Sequence, residues 1–230
     1  MHDNPLGTNL SRRALLAGSL GAGLTMTAVD RSLASPTSTV SDSTFSTAAL
    51  TVLATTDIHG HVFDWDYFAD AAFPPSDKGR SSAPLGVSRV ATIAKQVRAE
   101  QGADSVVMLD NGDTIQGTPL TYLSAKQPEK LGHDEVMARA FNLVGYDAAN
   151  IGNHEFNYGV AELFRYHNDL KAPLLCANVI DVKTGKPLTQ GSLMLTKNVA
   201  GHEVKVGIVA VTTPAQWCGT RQTWSARSIS

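Results

Sequence analysis

Leu50-Thr51-Val52-Leu53-Ala54 is a short β-prone apolar run that leads into Thr55-Thr56-Asp57-Ile58-His59-Gly60-His61. Val87, Val90, Ile93, Ala94 and Val97 then recur at helical spacing, which predicts an amphipathic helix closed by Gly102. Ser105 to Leu109 reads as a buried strand that opens into Asp110-Asn111-Gly112-Asp113. Val136, Ala140, Phe141 and Val144 mark a second amphipathic helix ending at Gly145. Ala148 to Ile151 is a short strand-like run before Gly152-Asn153-His154-Glu155. Leu174 to Val179 reads as a further strand. Leu193 to Leu195 and Val204 to Val211 predict a hairpin across Gly201. Prolines, serines and Gly79 between Phe73 and Pro84 predict a loop. The order strand, helix, strand, helix, strand implies an α/β domain. In such sheets a ligand site gathers where strand C-termini meet their loops, and here those loops hold the polar clusters.

Each cluster has its own chemistry. Asp57 and His59 are separated by one residue, so an extended segment would turn a carboxylate and an imidazole to the same side, a metal-binding pair. Asp113 follows Gly112 at a strand end, and its two oxygens suit a bridge between two cations. Asp110 shares that loop, either orienting the turn behind the ligands or serving as a plain turn residue. Asn153 offers a neutral carbonyl oxygen to a metal. His154 beside it could face substrate, protonating a leaving oxygen or stabilising charge on phosphate. Glu155 reads as a buttress of the loop. Any one cluster is a weak signal; three in this order, each after a strand, point to a metal site.

Composition adds bounds. The 230 residues are 43% hydrophobic and 17% charged, enough for one domain with a core. A formal net charge of -2 gives no basic surface for nucleic acid polymers or anionic membrane. Two cysteines, Cys176 and Cys218, do not indicate a disulfide framework. Ser11-Arg12-Arg13 ahead of the uncharged apolar run from Ala14 to Val29, with Ser32-Leu33-Ala34 beyond it, predicts a signal peptide over 1–34. The paired arginines point to the twin-arginine export machinery, and the run is too short and Gly-rich for a stable membrane span. Export to a periplasmic, cell-wall-associated or extracellular location follows as an expectation. Residues 35–48, rich in Ser and Thr, read as a flexible linker.

Asp57-x-His59, Gly112-Asp113 and Gly152-Asn153-His154-Glu155 resemble the calcineurin-like metallophosphoesterases. The longer runs Thr56 to Gly60, Asp110 to Pro119 and Gly152 to Gly159 look like its nucleotidase branch. Asp64-Trp65-Asp66-Tyr67 and Ala177-Asn178-Val179-Ile180-Asp181 lean toward the bifunctional 2',3'-cyclic-nucleotide 2'-phosphodiesterase/3'-nucleotidase subgroup. The resemblance covers about Leu50 to Pro214. It implies a β-sandwich flanked by helices and a hydrolase using two divalent cations ~3.5–4 Å apart to activate water. Asp57 and His59 would hold one cation and Asn153 the other, with Asp113 between them; Asn153 and His154 would contact substrate. Manganese, zinc, iron or cobalt all suit these donors. The implied activity is hydrolysis of 2',3'-cyclic nucleotides and 3'-nucleotides in extracellular salvage. An exported 5'-nucleotidase or nucleotide-sugar hydrolase and a non-catalytic secreted remnant are the alternatives.

The sequence departs from that family at its end. Family members supply later histidines, including a G-H-x-H motif, and a C-terminal domain that clamps the base; His202 lacks that motif. The domain over 49–214 is therefore expected to be incomplete at its C-terminus, exposing sheet edges and apolar faces. From Gln216 the tail loses any period. One choice of codons for it, read one frame over, gives Met-Val-Trp-Asp-Lys-Ala-Asn-Leu-Glu, similar to the nucleotidase continuation. Residues 215–230 are therefore read as an aberrant tail from a frameshift near Pro214, and weak or absent activity is expected.

Overall fold

The computed structural model describes residues 47–72, 85–132, 134–213 and the backbone of 227–228. The chain divides into two units, residues 1–45 and 46–230, and all described residues lie in the second. The signal peptide, the linker up to residue 46, the 73–84 loop and the tail apart from 227–228 lie outside the described residues.

Four parallel strands form the central sheet in the order β1 (Thr51–Thr55), β2 (Val106–Asp110), β3 (Ala148–Asn150) and β4 (Leu174–Leu175). Their crossovers are α1 (Val87–Gln101), then α2 (Pro119–Lys126) and α3 (Val136–Val144), then α4 (Val160–Asp169). Parallel neighbours need such crossovers, and the helices cover one sheet face. There Met108, Ala149 and Leu174 meet Val87, Ala94, Met137, Phe141, Leu163 and Tyr166 in one buried cluster. Phe141 also stacks on Tyr146 with ring centroids 4.0 Å apart.

The other face of the sheet is met by a hairpin, β7 (Ser192–Val199) and β8 (His202–Val209), turning at Ala200-Gly201. Leu193 and Ile208 pack on Ala148 and Leu175. Lys197 crosses to Asp147 at 2.8 Å, and the other oxygen of Asp147 accepts the Met108 N–H. Cover on this face is partial. Val52 is 54% exposed and Val209 72%, beside a groove of ≈ 490 Å³ that also exposes Ala54, Leu109 and Val211. β5 (Val179–Asp181) pairs with β6 (Lys186–Pro187) and β9 (Arg227–Ser228) in a separate small sheet.

Three sequence expectations need correction. Leu174 to Val179 is two strands, because Cys176 and Ala177 turn their N–H groups to Gln190 and Ala210 and leave the parallel sheet. Ile93 is 57% exposed: the buried stripe of α1 keeps the expected Val87, Val90 and Ala94 but takes Ala91 in place of Ile93. Ser105 belongs to a 3₁₀ turn before β2.

Helix termini tie the layers together. Arg98 of α1 donates to the carbonyls of Val144 and Gly145, closing the C-terminus of α3. Glu135 caps the other end through Oε2, which accepts the Ala138 N–H at 2.7 Å, while Oε1 is buried without a partner. Glu162, Arg165 and Asp169 of α4 face it, and burial pushes its carboxyl up to about 8. The folded state therefore holds a proton there that the unfolded chain releases near its ordinary 4.5. Its contribution is present below pH 4.5 and lost as pH rises toward 8, with a slope up to about 1.4 kcal/mol per pH unit. Urea unfolding at pH 5, 6.5 and 8 checks this. Glu135→Gln should remove that part of the decline, so wild type and variant should diverge steadily with pH. Parallel curves would contradict it.

Candidate metal centre

Beyond β1 and β2 the parallel pairing continues into the loops. Asp57 N–H donates to the Gly112 carbonyl (3.1 Å), His59 N–H to Asp113 (2.9 Å) and Gly60 N–H to Thr114 (2.8 Å). This ladder sets Asp57-x-His59 alongside Gly112-Asp113. It does so with a backbone the sequence did not suggest. Asp57, His59 and Asp113 have φ of 54°, 47° and 60°, so the Asp57-x-His59 segment is not extended. Left-handed backbone at non-glycine residues costs about 1–3 kcal/mol each and is held only by over-determining surroundings. Asp57 and His59 nonetheless meet, with Oδ1 3.7 Å from Nε2.

Glu155 supplies the surroundings. It is fully buried, and its Oε2 accepts the N–H of Gly152 (2.6 Å) and Asp113 (2.8 Å) while Oε1 accepts those of Thr114 (2.5 Å) and Ile115 (3.3 Å). Burial pushes its carboxyl up, opposed by these backbone donors. Asp110, 4% exposed, works from the other side of the same loop. Its carboxylate accepts the Gly112 N–H and the Thr55 and Thr114 hydroxyls, and burial pushes it up to about 7. The two loops touch backbone to backbone. A Cβ on Gly112 would lie 2.3 Å from the Gly152 nitrogen, and one on Gly152 would lie 2.3 Å from Asp113 Oδ1.

His154 opens the short 3₁₀ turn His154–Phe156, and its N–H donates to Asp113 Oδ1 at 2.7 Å. His59, Asp113 and His154 each offer a ligand atom within 4.8 Å of the others, and the two imidazoles lie edge to face with centroids 5.0 Å apart. His154, read from sequence as a substrate contact, thus stands among the metal-capable groups. Asn153 precedes it, half-buried at the same turn. His59 Nδ1 lies 2.9 Å from the Gln116 carbonyl; a carbonyl only accepts, so Nδ1 carries the proton and Nε2 keeps its lone pair toward the site. Sequence reasoning missed Gln116, which acts through its backbone and has no residue-type signal. Two imidazoles, two carboxylates and an amide oxygen fit borderline divalent cations.

No family model matches the chain. Over 181 residues it is 38% identical to the 2',3'-cyclic-nucleotide 2'-phosphodiesterase/3'-nucleotidase of Yersinia enterocolitica, a match that takes in 76% of this chain and 26% of that protein. It is 32% identical over 167 residues to Protein UshA of Escherichia coli, covering 73% of this chain and 26% of the relative. The crystal structure of calcineurin-like phosphoesterase YfkN from Bacillus subtilis superposes with a TM-score of 0.61 at 31% identity, over 73% of this chain and 49% of that one. The chain spans about a quarter of the length of these curated relatives. The likeness to calcineurin-like phosphoesterases read in the sequence, and the α/β fold it implied, are borne out.

Glu155→Gln tests the cradle. The amide keeps one accepting oxygen and turns an NH₂ toward two backbone donors, at an expected loss on the order of 3 kcal/mol in unfolding free energy. Manganese affinity by calorimetry should fall with it. An unchanged urea midpoint would show that the cradle does not hold the loops.

Proposed function

We propose that this chain carries the metal-holding part of a phosphoesterase that hydrolyses nucleotides, with 2',3'-cyclic nucleotides and 3'-nucleotides as the substrate class. The observation that supports it most is the convergence of His59, Asp113 and His154 at the C-terminal ends of β1, β2 and β3. The relatives' names, which include 2',3'-cyclic-nucleotide 2'-phosphodiesterase/3'-nucleotidase, support that substrate class. Export to a periplasmic or extracellular location, by the twin-arginine route, belongs to the same reading. Among the described residues no helix is long and apolar enough to cross a membrane.

Asp57, His59, Asp113 and Asn153 would hold two divalent cations, with His154 beside them. Bound there, such cations offset charge on phosphoryl oxygens and make water a better nucleophile near neutral pH. The chain's own part is positional. Asp113 is fixed by the His154 N–H on one oxygen and by its own N–H on Glu155, so its second oxygen keeps one direction. His59 is locked by Gln116. His154, half-buried beside them, would give a proton to the departing ribose oxygen; its closeness to His59 supports that part.

Purified chain supplied with manganese and a 2',3'-cyclic nucleotide tests the reading. Phosphodiester cleavage, weak as the incomplete C-terminus leads one to expect, should depend on the metal and fall at least about 100-fold in Asp113→Asn. His154→Gln separates its two roles. Lost metal content marks a ligand, whereas retained metal with a lowered kcat marks a proton donor. Preference for 5'-nucleotides would favour a 5'-nucleotidase instead. Absence of any metal-dependent phosphoesterase activity, with metal bound, would remove the assignment for this chain.

A further inference from the structure

The buried face of α2 is polar. Its buried residues are Thr121 and Ser124, which follow the buried capping residue Thr118 at helical spacing. Burying a hydroxyl is unfavourable unless it is hydrogen-bonded, so a helix held by packing alone would carry apolar side chains here. Each hydroxyl instead has a particular partner. Ser124 Oγ accepts from Arg165 of α4 at 2.9 Å. Thr121 Oγ1 donates to the Thr118 carbonyl at 3.1 Å and accepts the Thr118 N–H. Thr118 Oγ1 accepts the Thr121 N–H, completing a capping box, and gives its single proton to the Gly60 carbonyl 3.0 Å away. One end of α2 is thereby pinned to α4 and the other to the loop of the Asp57–His59 pair.

The second pin acts on a candidate ligand. Gln116, Gly117 and Thr118 are consecutive, and each holds a different part of the His59-Gly60 step. The Gln116 carbonyl orients the imidazole. Gly117 packs on the His59 backbone, where an added Cβ would lie 2.5 Å from the His59 carbonyl oxygen. Thr118 holds the next carbonyl, and Gly60 sits so close that a Cβ there would lie 2.7 Å from atoms of both Thr118 and Thr121. The left-handed backbone of His59, φ 47°, persists only under constraint from outside its loop. The ladder supplies that constraint on the N–H side, through Asp113 and Thr114. Thr118 supplies a donor on the carbonyl side.

We infer that Thr118 is a positioning residue: through the Gly60 carbonyl it sets the backbone from which His59 aims Nε2 at the metal centre. This rests on the reading of His59 as a cation ligand. Thr118 itself is assigned no contact with cation or substrate.

Two measurements on the purified chain decide it: manganese affinity by calorimetry, and the His59 Nδ1–H proton resonance of the metal-free chain. That resonance is identified by its loss in His59→Gln. Thr118→Val, or Thr118→Ala if the valine does not fold, should lower manganese affinity about 10-fold and broaden or remove the resonance. Thr118→Ser keeps the hydroxyl and should restore both. Ser124→Ala removes a hydroxyl from the same buried face at the far end of α2. It should lower the urea midpoint yet leave affinity and resonance as in wild type. Wild-type affinity and resonance in Thr118→Val or Thr118→Ala would overturn the inference and leave the metal reading standing. An equal fall in affinity in Ser124→Ala would also overturn it, because the effect would then be one of helix stability. A wild-type chain that binds no manganese would overturn the metal reading and this inference with it.

Discussion

One carboxylate organises this molecule's functional end. Glu155 comes from the third strand's loop, yet its hydrogen bonds go chiefly to the second strand's loop, to Asp113, Thr114 and Ile115, with Gly152 as the local partner. A buried charge is tolerated only when its oxygens are satisfied. Here the backbone satisfies them, so the same contacts that keep the carboxylate buried also fix the curvature of the Asp113 loop. The close approach of Gly112 to Gly152 follows from this. With a side chain at either position the loops could not come near enough for one carboxylate to serve both.

The first loop is held differently. It has no buried anion of its own and borrows order from the second through the ladder from Asp57 to Gly60. Three left-handed residues result, two in one loop and one in the other. Their strain is spread over a network that Glu155 and Asp110 brace from opposite sides. The centre is a consequence of loop packing, to which the side chains that could hold cations add the Asp113–His154 and His59–Gln116 bonds. Asp57 takes part through its backbone N–H, in the ladder, while its side chain is 58% exposed.

The sequence showed the parts of this that depend on residue type and period. β1, β2, β3, α1, α3 and the hairpin could be read because apolar positions recur at the right spacing. α4 was missed although Leu163, Tyr166 and Leu170 are buried; polar Glu162, Arg165, His167 and Asn168 interrupt the apolar signal. α2 was missed because its Thr118 cap and Pro119 stand inside a run read for its chemistry. The clusters were legible as chemistry, and Glu155 was read as a buttress from its place beside His154. Their geometry was not legible. An alternating Asp-x-His pattern suggests an extended strand, and only the tertiary ladder imposes the left-handed turn. The Gln116 carbonyl that orients His59 could not be seen, since every residue has one.

Past β8 the chain keeps order without being in a strand, and amide side chains do what a ladder would. Asn178 donates to the Thr212 carbonyl and accepts the Thr212 N–H, a two-way exchange like that of a paired strand residue. Asn150 donates to both the Asn111 and Val211 carbonyls, linking this segment to the Asp110–Asp113 loop. Residues 210–213 are thereby brought along the C-terminal ends of β3 and β4, next to the candidate centre. The groove at Thr55, Thr56 and Asn111 is also lined by the tethered Asn150, Ala210 and Val211. The centre is thus built with two unlike sides: a closed one, where Glu155 and Asp110 exclude water and set the loops, and an open one, where Asp57 is exposed to solvent. A phosphoester hydrolase needs this asymmetry, since the ligands must not move while water and substrate must enter.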